Sequence, residues 1–530
     1  MLTFDKNQID TYLKNFRSNP VETMKQAPAK LDPSGQAIDT GLFTAEDQQT
    51  AAYHESRDQL RQQMLQQAGT SRAAMAANDD PRNLVDVFKY DNLPAIHEAN
   101  LRSAQLAAQP WSGDYWATAN GGLGSRYADY NSFKEGWDKT YEYTRTHPSK
   151  VILNSGSETW INELSPAEKY DALVGDAKET LTQRSWLTGK EYFDQHQEVP
   201  GWFGICHGWA PASFMMPRPV NSIKLLTPSN LAITFYPCEI KALCSLLWAQ
   251  AAPKSRFIGG RCNAEKVSFD PETGRTITLY NPYLNEELTA EFPPEEGQPR
   301  PGEVEVTLSS THYDDEGNES RTGGRSTEGQ CFDSNPGAWH LTVVNQIGVS
   351  KRSMVMDATF DAQVWNQPVF GYKYTYFNPQ TLQQTEDLAQ ASIIKAAFSS
   401  DIFKKYRSPK AVSFVGIVMR VSYMAETGSV QDTPDAPEHD AIATADYYYD
   451  LEIDAAGKII GGEWYSNTHP DFLWTPPKGG VAVSRYENLA VGTWDSKQAL
   501  PENWRATAIK ASADMTPLAK IVEQMLKLSV

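Results

Sequence analysis

The spacing of hydrophobic and polar positions changes character along the chain. Residues 1–88 read as helical. In TAEDQQTAAYHESRDQLRQQMLQQAG, Thr44 stands three residues before Asp47, a capping-box-like start, and Gly69 stands where a C-cap glycine would. Its polar richness marks a surface helix. Residues 89–205 mix aromatic loops with helices such as LSPAEKYDALVGD, where Ser165 caps and Pro166 takes the first turn. A helix follows around 238–251. After it the pattern becomes strand-like. KVSFD and TITLYN pair across PETGR, and VEVTLSS alternates. WHLTVVNQIG, SMVMDATF and VSFVGIVMRVSYM read as further strands, and YYYDLEIDAAGKIIGGEWYS as a last β unit turning at Gly457. Residues 425–441 read as an acidic loop or linker, and TPLAKIVEQMLKLSV as an amphipathic terminal helix. Helices first and strands afterwards predict an α+β chain. The division expected is a helical region over 1–88, a core over 89–410 and a β-rich portion over 411–530 continuous with the core.

Composition narrows the function. The chain has 530 residues, of which 40% are hydrophobic, and a net charge of −18. It has no basic run, so nucleic acid and anionic membrane surfaces are poor partners. No apolar stretch approaches a membrane span. The N-terminus, MLTFDKNQIDTYLKNF, has no apolar core of the kind a secretory signal needs. The expectation is a chain exported by another route, with the cytoplasm left open.

Five cysteines are present. Cys238 and Cys244 fall six apart on one predicted helix, on different faces, which argues against a bridge. Cys262 and Cys331 lie in loop-like sequence and form the better candidate pair. Cys206 is different: it sits in GWFGICHGWAPASFMM, after a glycine-rich approach and before a short helical run. A working thiol nucleophile needs a lowered pKa, and a helix N-terminus or an imidazolium supplies one. Gly204 reads as room for a substrate. Pro211 sets the helix start near 207–208, if it lies in the first turn. The plain alternative is an inert packed cysteine. His340 follows Cys206 by 134 residues, within the 130–150 of papain-like enzymes. Asp357 falls on the next predicted strand, where a hairpin turning at 348–351 would set it beside His340; Asp361 and Asn366 compete for that third place.

The residues then become recognisable. AQVWNQPVFGYKYTY (362–376) resembles the elicitor peptide of the transglutaminase elicitor family, known from oomycete cell-wall transglutaminases, with Phe370 where the family's peptide has arginine. YWATANGGLGSRYAD, WFGICHGWAPAS, CFDSNPGAWHLTVVNQIG and GGEWYSNTHPDFLW are similar to the same family. The resemblance implies a papain-like arrangement and a calcium-dependent protein-glutamine γ-glutamyltransferase: Cys206 as nucleophile, His340 as base, Asp357 as the third member. Its partners would be a glutamine-containing protein and a primary amine. The chemistry itself needs no cofactor. The oxyanion would rest on the Cys206 amide and the Trp202 indole. Calcium has a weak candidate in YDDEGNES (313–320), with Asp314, Asp315, Glu316, Asn318 and Glu319, which lacks EF-hand spacing and reads as a solvated acidic turn. His469 and Asp471 in HPDF are too few to make a metal site. Two rivals stay open. One is a cysteine peptidase, amidase or peptidoglycan transpeptidase using the same three residues. The other is a wall-binding adhesin, suggested by 14 tryptophans and 24 tyrosines.

Overall fold

Side-chain caps mark where the first helices begin. Asp5 accepts from the Asn7 and Gln8 amides and opens α1 (Lys6–Ser18). Ser165 and Glu168 close a capping box on α2 (Pro166–Val174), with Pro166 in the first turn. The computed structural model describes residues 4–20, 23, 80–259, 276–281, 286–291, 335–358, 365–404, 407–466, 469–470 and 472–530. The expected helix over 44–69, the strands KVSFD and VEVTLSS, the Cys262–Cys331 pair, the acidic turn 313–320, Asp361 and Asp471 lie outside the described residues.

Further along come α3 (Cys206–Met215) and α4 (Pro237–Ala251). The strand β1 (Arg256–Gly259), the helix α5 (Pro336–Val343) and the strands β2 (Met354–Asp357) and β3 (Asn366–Phe377) follow. Then come β4 (Ser413–Met424), β5 (Ile442–Ile453), β6 (Ile459–Trp464), β7 (Phe472–Thr475) and the terminal helix α6 (Ala519–Ser529). The result is a mixed helix-and-sheet architecture around an antiparallel sheet. The main path of the sheet is β6-β5-β4-β3-β2-β7-β1. Strands on both sides of residue 410 share it, and one core cluster extends from Leu84 to Leu526. Gly457, at φ 80°, makes the β5–β6 turn where the sequence placed it. TITLYN is a strand, but its described partner is Glu286–Glu291.

One expected strand is a helix. WHLTVVNQIG forms the end of α5 and a π-helical turn over Val344–Val349. Asn335 caps α5, its Oδ1 accepting from the Gly337 amide at 2.8 Å, and Pro336 occupies the first turn. All eight residues of α5 are buried. A helix enclosed on every side loses its polar stripe, and a short apolar run with two valines then reads equally well as a buried strand.

The sheet's two faces can be followed through the register. Directly opposed residues share a face, and neighbours along a strand alternate. Asp357 pairs with Asn366, and Val355 with Trp474; these four form the front face. Met356 pairs with Gln367, and Met354 with Val369; these belong to the back. A register shift between Ser422 and Tyr423 brings Val369 opposite Tyr423. The back face therefore continues through Met419 and Tyr374 to Tyr447 and Tyr449. The Tyr447 hydroxyl, 3.9 Å from the Met356 sulfur, agrees with that path.

The described N-terminal helix lies far from β2. Ile9, Leu13 and Phe16 of α1 cluster with Phe377, Val418 and Tyr448. Phe377 and Asn366 are the two ends of β3, roughly 36 Å apart at about 3.3 Å per residue.

Candidate functional site

Cys206 opens α3 and is 2% exposed. Ile205, in the N-cap position, offers no side-chain cap, and Tyr115 O accepts from the Ile205 amide at 2.7 Å. The glycines here serve the fold. A Cβ on Gly204 would fall 2.4 Å from Tyr115 O, and one on Gly208 would fall 2.2 Å from Ser245 O of α4. Gly204 therefore makes room for the chain itself, not for a substrate. Pro211 lies inside the helix, at its sixth residue, rather than in the first turn; the helix begins at Cys206, one residue earlier than the proline suggested. Its missing N–H leaves the His207 carbonyl without the usual helical donor.

Asn366 Nδ2 donates to Cys206 Sγ at 3.5 Å, and the Asn366 backbone N–H donates to it as well. Asn366 Oδ1 accepts from the indole Nε1–H of Trp474 at 2.8 Å, which fixes which end of the amide faces the sulfur. Asp357, opposite Asn366 in the register, is fully buried, and its Oδ1 accepts from the Trp365 amide at 3.0 Å. Burial pushes the Cys206 thiol up to about 11, against the lowering effect of the Asn366 bonds; the charges of Glu426 and Asp357 push it further up. The Cys206 thiol is thus neutral and covered at rest.

The structure brings Cys206, Asp357 and Asn366 together on the front of the sheet and does not bring His340 to them. His340 lies on α5, not on a strand beside Asp357. Its Nδ1 is 2.9 Å from the Tyr449 hydroxyl, and its ring meets Tyr374 edge-on at 4.8 Å. Both tyrosines are back-face residues. The hairpin expected between His340 and Asp357 is replaced by the β2–β3 hairpin, which folds Asn366 back onto Asp357. Trp202 is buried with its ring edge-on to Phe203. The indole that reaches the cysteine's partner belongs to Trp474.

Two other histidines are buried. Burial lowers His207 to about 4, and both of its ring nitrogens lack hydrogen-bond partners. His469 is also lowered to about 4 by burial and stacks on Trp464, with centroids 4.6 Å apart. Trp464 pairs with Tyr449, so His469 lies on the same back face as His340. Cys238 and Cys244 are both free thiols on α4. Among the described residues, no group of three or more His, Cys, Asp and Glu side chains could hold a metal ion. None of their helices is long and apolar enough to cross a membrane.

Sequence reasoning missed Trp474 and Glu426. Trp474 reaches the cysteine's surroundings across 108 residues and Glu426 across 59, and nothing local in FLWT or AETG announces that.

No curated protein matches the chain significantly. Among solved structures, the crystal structure of the GP42 transglutaminase from Phytophthora sojae is similar at 20% identity and a TM-score of 0.43, covering 78% of this chain and 92% of that one. The family model Transglutaminase elicitor matches residues 84–281 and 301–486, more than half of the sequence and the part that contains Cys206, Asp357, Asn366 and Trp474. The chain belongs to the transglutaminase elicitor family.

Proposed function

We propose that the protein is a protein-glutamine γ-glutamyltransferase working through a Cys206 thioester. The observation that carries this reading is the thiol at a helix N-terminus, hydrogen-bonded to an asparagine that an indole holds in place. Helix N-termini favour negative charge, so a thiolate or an oxyanion gains there from dipole and unpaired N–H groups together.

In this mechanism the Cys206 sulfur attacks the γ-carboxamide carbon of a substrate glutamine. A C–S bond forms and the carbonyl oxygen takes up the negative charge, held by the Cys206 amide and the Asn366 side-chain N–H. The C–N bond then breaks and ammonia leaves with the proton taken from the thiol, giving a thioester. A primary amine attacks the thioester, loses a proton and expels the sulfur. The base is Asp357, on the same face as the sulfur and with its charge felt there. His340, bonded to Tyr449, and His469, stacked on Trp464, lie on the other face. No step passes through calcium. The glutamine and amine are presented outside the cytoplasm, as in the secreted cell-wall enzymes that the family resemblance implies.

The adhesin reading loses its support, because thirteen of the 14 tryptophans are buried and only Trp160 is exposed. They build a core, not a sugar platform. The hydrolase reading differs only in the acceptor. The deciding experiment follows a labelled amine into casein, with and without EDTA. Wild type is expected to incorporate it and Cys206→Ala to fall at least about a thousandfold with its fold intact. Ammonia release without amine incorporation would make the protein an amidase. Residual transfer above a tenth of wild type would remove Cys206 from the mechanism.

A further inference from the structure

Beside the thiol lies a second polar arrangement that thioester formation does not use. Glu426 follows β4, and each of its carboxylate oxygens accepts from Gln367 Nε2 at 2.9 Å. A carboxylate only accepts, so the amide is fixed with its nitrogen toward Glu426. The amide oxygen, Oε1, has no hydrogen-bond partner, although Gln367 is 1% exposed. A buried acceptor without a donor costs about 1–3 kcal/mol. Oε1 belongs to the same amide that grips Glu426, so it sits beside that carboxylate. Glu426 itself is only partly buried and reaches solvent.

The segment after Glu426 is tied to the chain that flanks Cys206. Thr427 N donates to Gly113 O at 3.0 Å, and Ser429 Oγ donates to Asp114 Oδ2 at 3.0 Å. The next residue, Tyr115, accepts from the amide of Ile205, immediately before the nucleophile. Gln367 follows Asn366 at the very start of β3, its side chain on the opposite face, and its amide meets Glu426 at that end of the strand. Glu426, Asp114, Tyr115 and Cys206 therefore share one corner at the end of β3. The charge of Glu426 is felt at both Cys206 and Tyr115. Tyr115 is partly exposed, and its ring meets Trp365 edge-on at 5.5 Å.

We propose that Glu426 and the Gln367 amide oxygen form the subsite that receives the ammonium group of the second substrate, a primary amine on an alkyl chain. An ammonium has three donors and no acceptor. The carboxylate supplies the opposite charge, the amide oxygen takes a further N–H, and Tyr115 gives the methylene stem an aromatic wall. This assignment rests on the transferase reading above, since a hydrolase has no use for a cationic acceptor. A lysine side chain and a free diamine present the same group.

The test compares 1,5-diaminopentane and a lysine peptide with hydroxylamine, which is uncharged at neutral pH, as acceptors for the full chain. In Glu426→Gln, whose amide still bonds Gln367, the preference in kcat/KM for the cationic amines over hydroxylamine is expected to fall about tenfold or more, through the amine KM. Glu426→Asp should keep part of it. A fall for the diamine alone assigns the subsite to free diamines; a fall for the peptide alone assigns it to lysine side chains. An unchanged preference overturns the subsite and leaves the transferase reading standing. If wild type transfers to no amine, that reading fails, and saturation-transfer NMR of diaminopentane on Cys206→Ala decides the subsite. Binding lost in the added Glu426→Gln change supports it, and equal binding overturns it.

Discussion

The two faces of the sheet at β2 and β3 handle buried polar groups in opposite ways. In front, Cys206, Asn366, Asp357 and Trp474 converge, each aimed at another: indole to amide, amide to sulfur. Behind, His340 lies among Tyr374, Tyr449 and the neighbouring Trp339, an aromatic packing with one hydrogen bond to Tyr449 and an unpartnered Nε2. Both places bury a titratable group, and both shift its pKa by burial. Only the front sets that group at a helix start with donors directed at it. A perturbed pKa alone would have chosen either face; the direction of the donors separates them.

That separation can be broken most sharply with Asp357 and His340. Asp357→Asn is expected to cut amine transfer by about 10²–10⁴-fold, the usual range for removing a general base. His340→Gln is expected to leave turnover within a few-fold of wild type at a temperature where both are folded. The reverse result would move the chemistry to the back of the sheet and undo the assignment of faces. Next in size, Asn366→Ala should lower kcat by about 10²–10³-fold, as removal of an oxyanion donor does, with little change in the glutamine KM. Tyr449→Phe, its counterpart behind, should affect melting temperature and not kcat.

Much of the outline was legible in the sequence. Ser165 with Pro166, the β5–β6 turn at Gly457 and the terminal helix were all set by local chemistry: a cap, a positive φ and an amphipathic stripe. The position of Cys206 at a helix start was legible because the short apolar run after it reads as a helix. His340 was misplaced because NPG was read as a turn before a strand, when Asn-Pro is also an N-cap and first-turn pair. Asn366 competed for the third place, and reaching Asp357 requires the chain to fold back. β2 and β3 do that, pairing antiparallel with Asp357 opposite Asn366. Long-range pairings such as Trp474 with Asn366 have no local signature.

A smaller effect sharpens the comparison from the front. Trp474→Phe keeps the ring but removes the bond to Asn366 Oδ1, so the amide is free to turn. A net hydrogen bond of about 1 kcal/mol corresponds to about a fivefold loss of kcat. No loss would mean that packing alone holds Asn366.

The smallest effect is thermodynamic and belongs to the back. Burial lowers His340 to about 3, against about 6.5 in an unfolded chain. As pH falls, the unfolded chain takes up that proton first. The stability from keeping His340 neutral is complete above about pH 6.5 and is lost toward pH 3, at about 1.4 kcal/mol per pH unit. His340→Gln should make the acid limb of a stability-against-pH curve shallower by one proton, with His207 and His469 still contributing theirs. An unchanged slope would mean that His340 is not held neutral in the fold.

The elicitor-like stretch forms most of β3, and Trp365, Asn366, Gln367, Val369 and Phe370 are each no more than 5% exposed. A receptor able to read those letters would meet none of them on the intact molecule. It would meet them on fragments released by proteolysis or on chains that had lost their tertiary structure. For this protein, then, the stretch would report damage: its appearance at a surface would signal a chain that had already lost its fold.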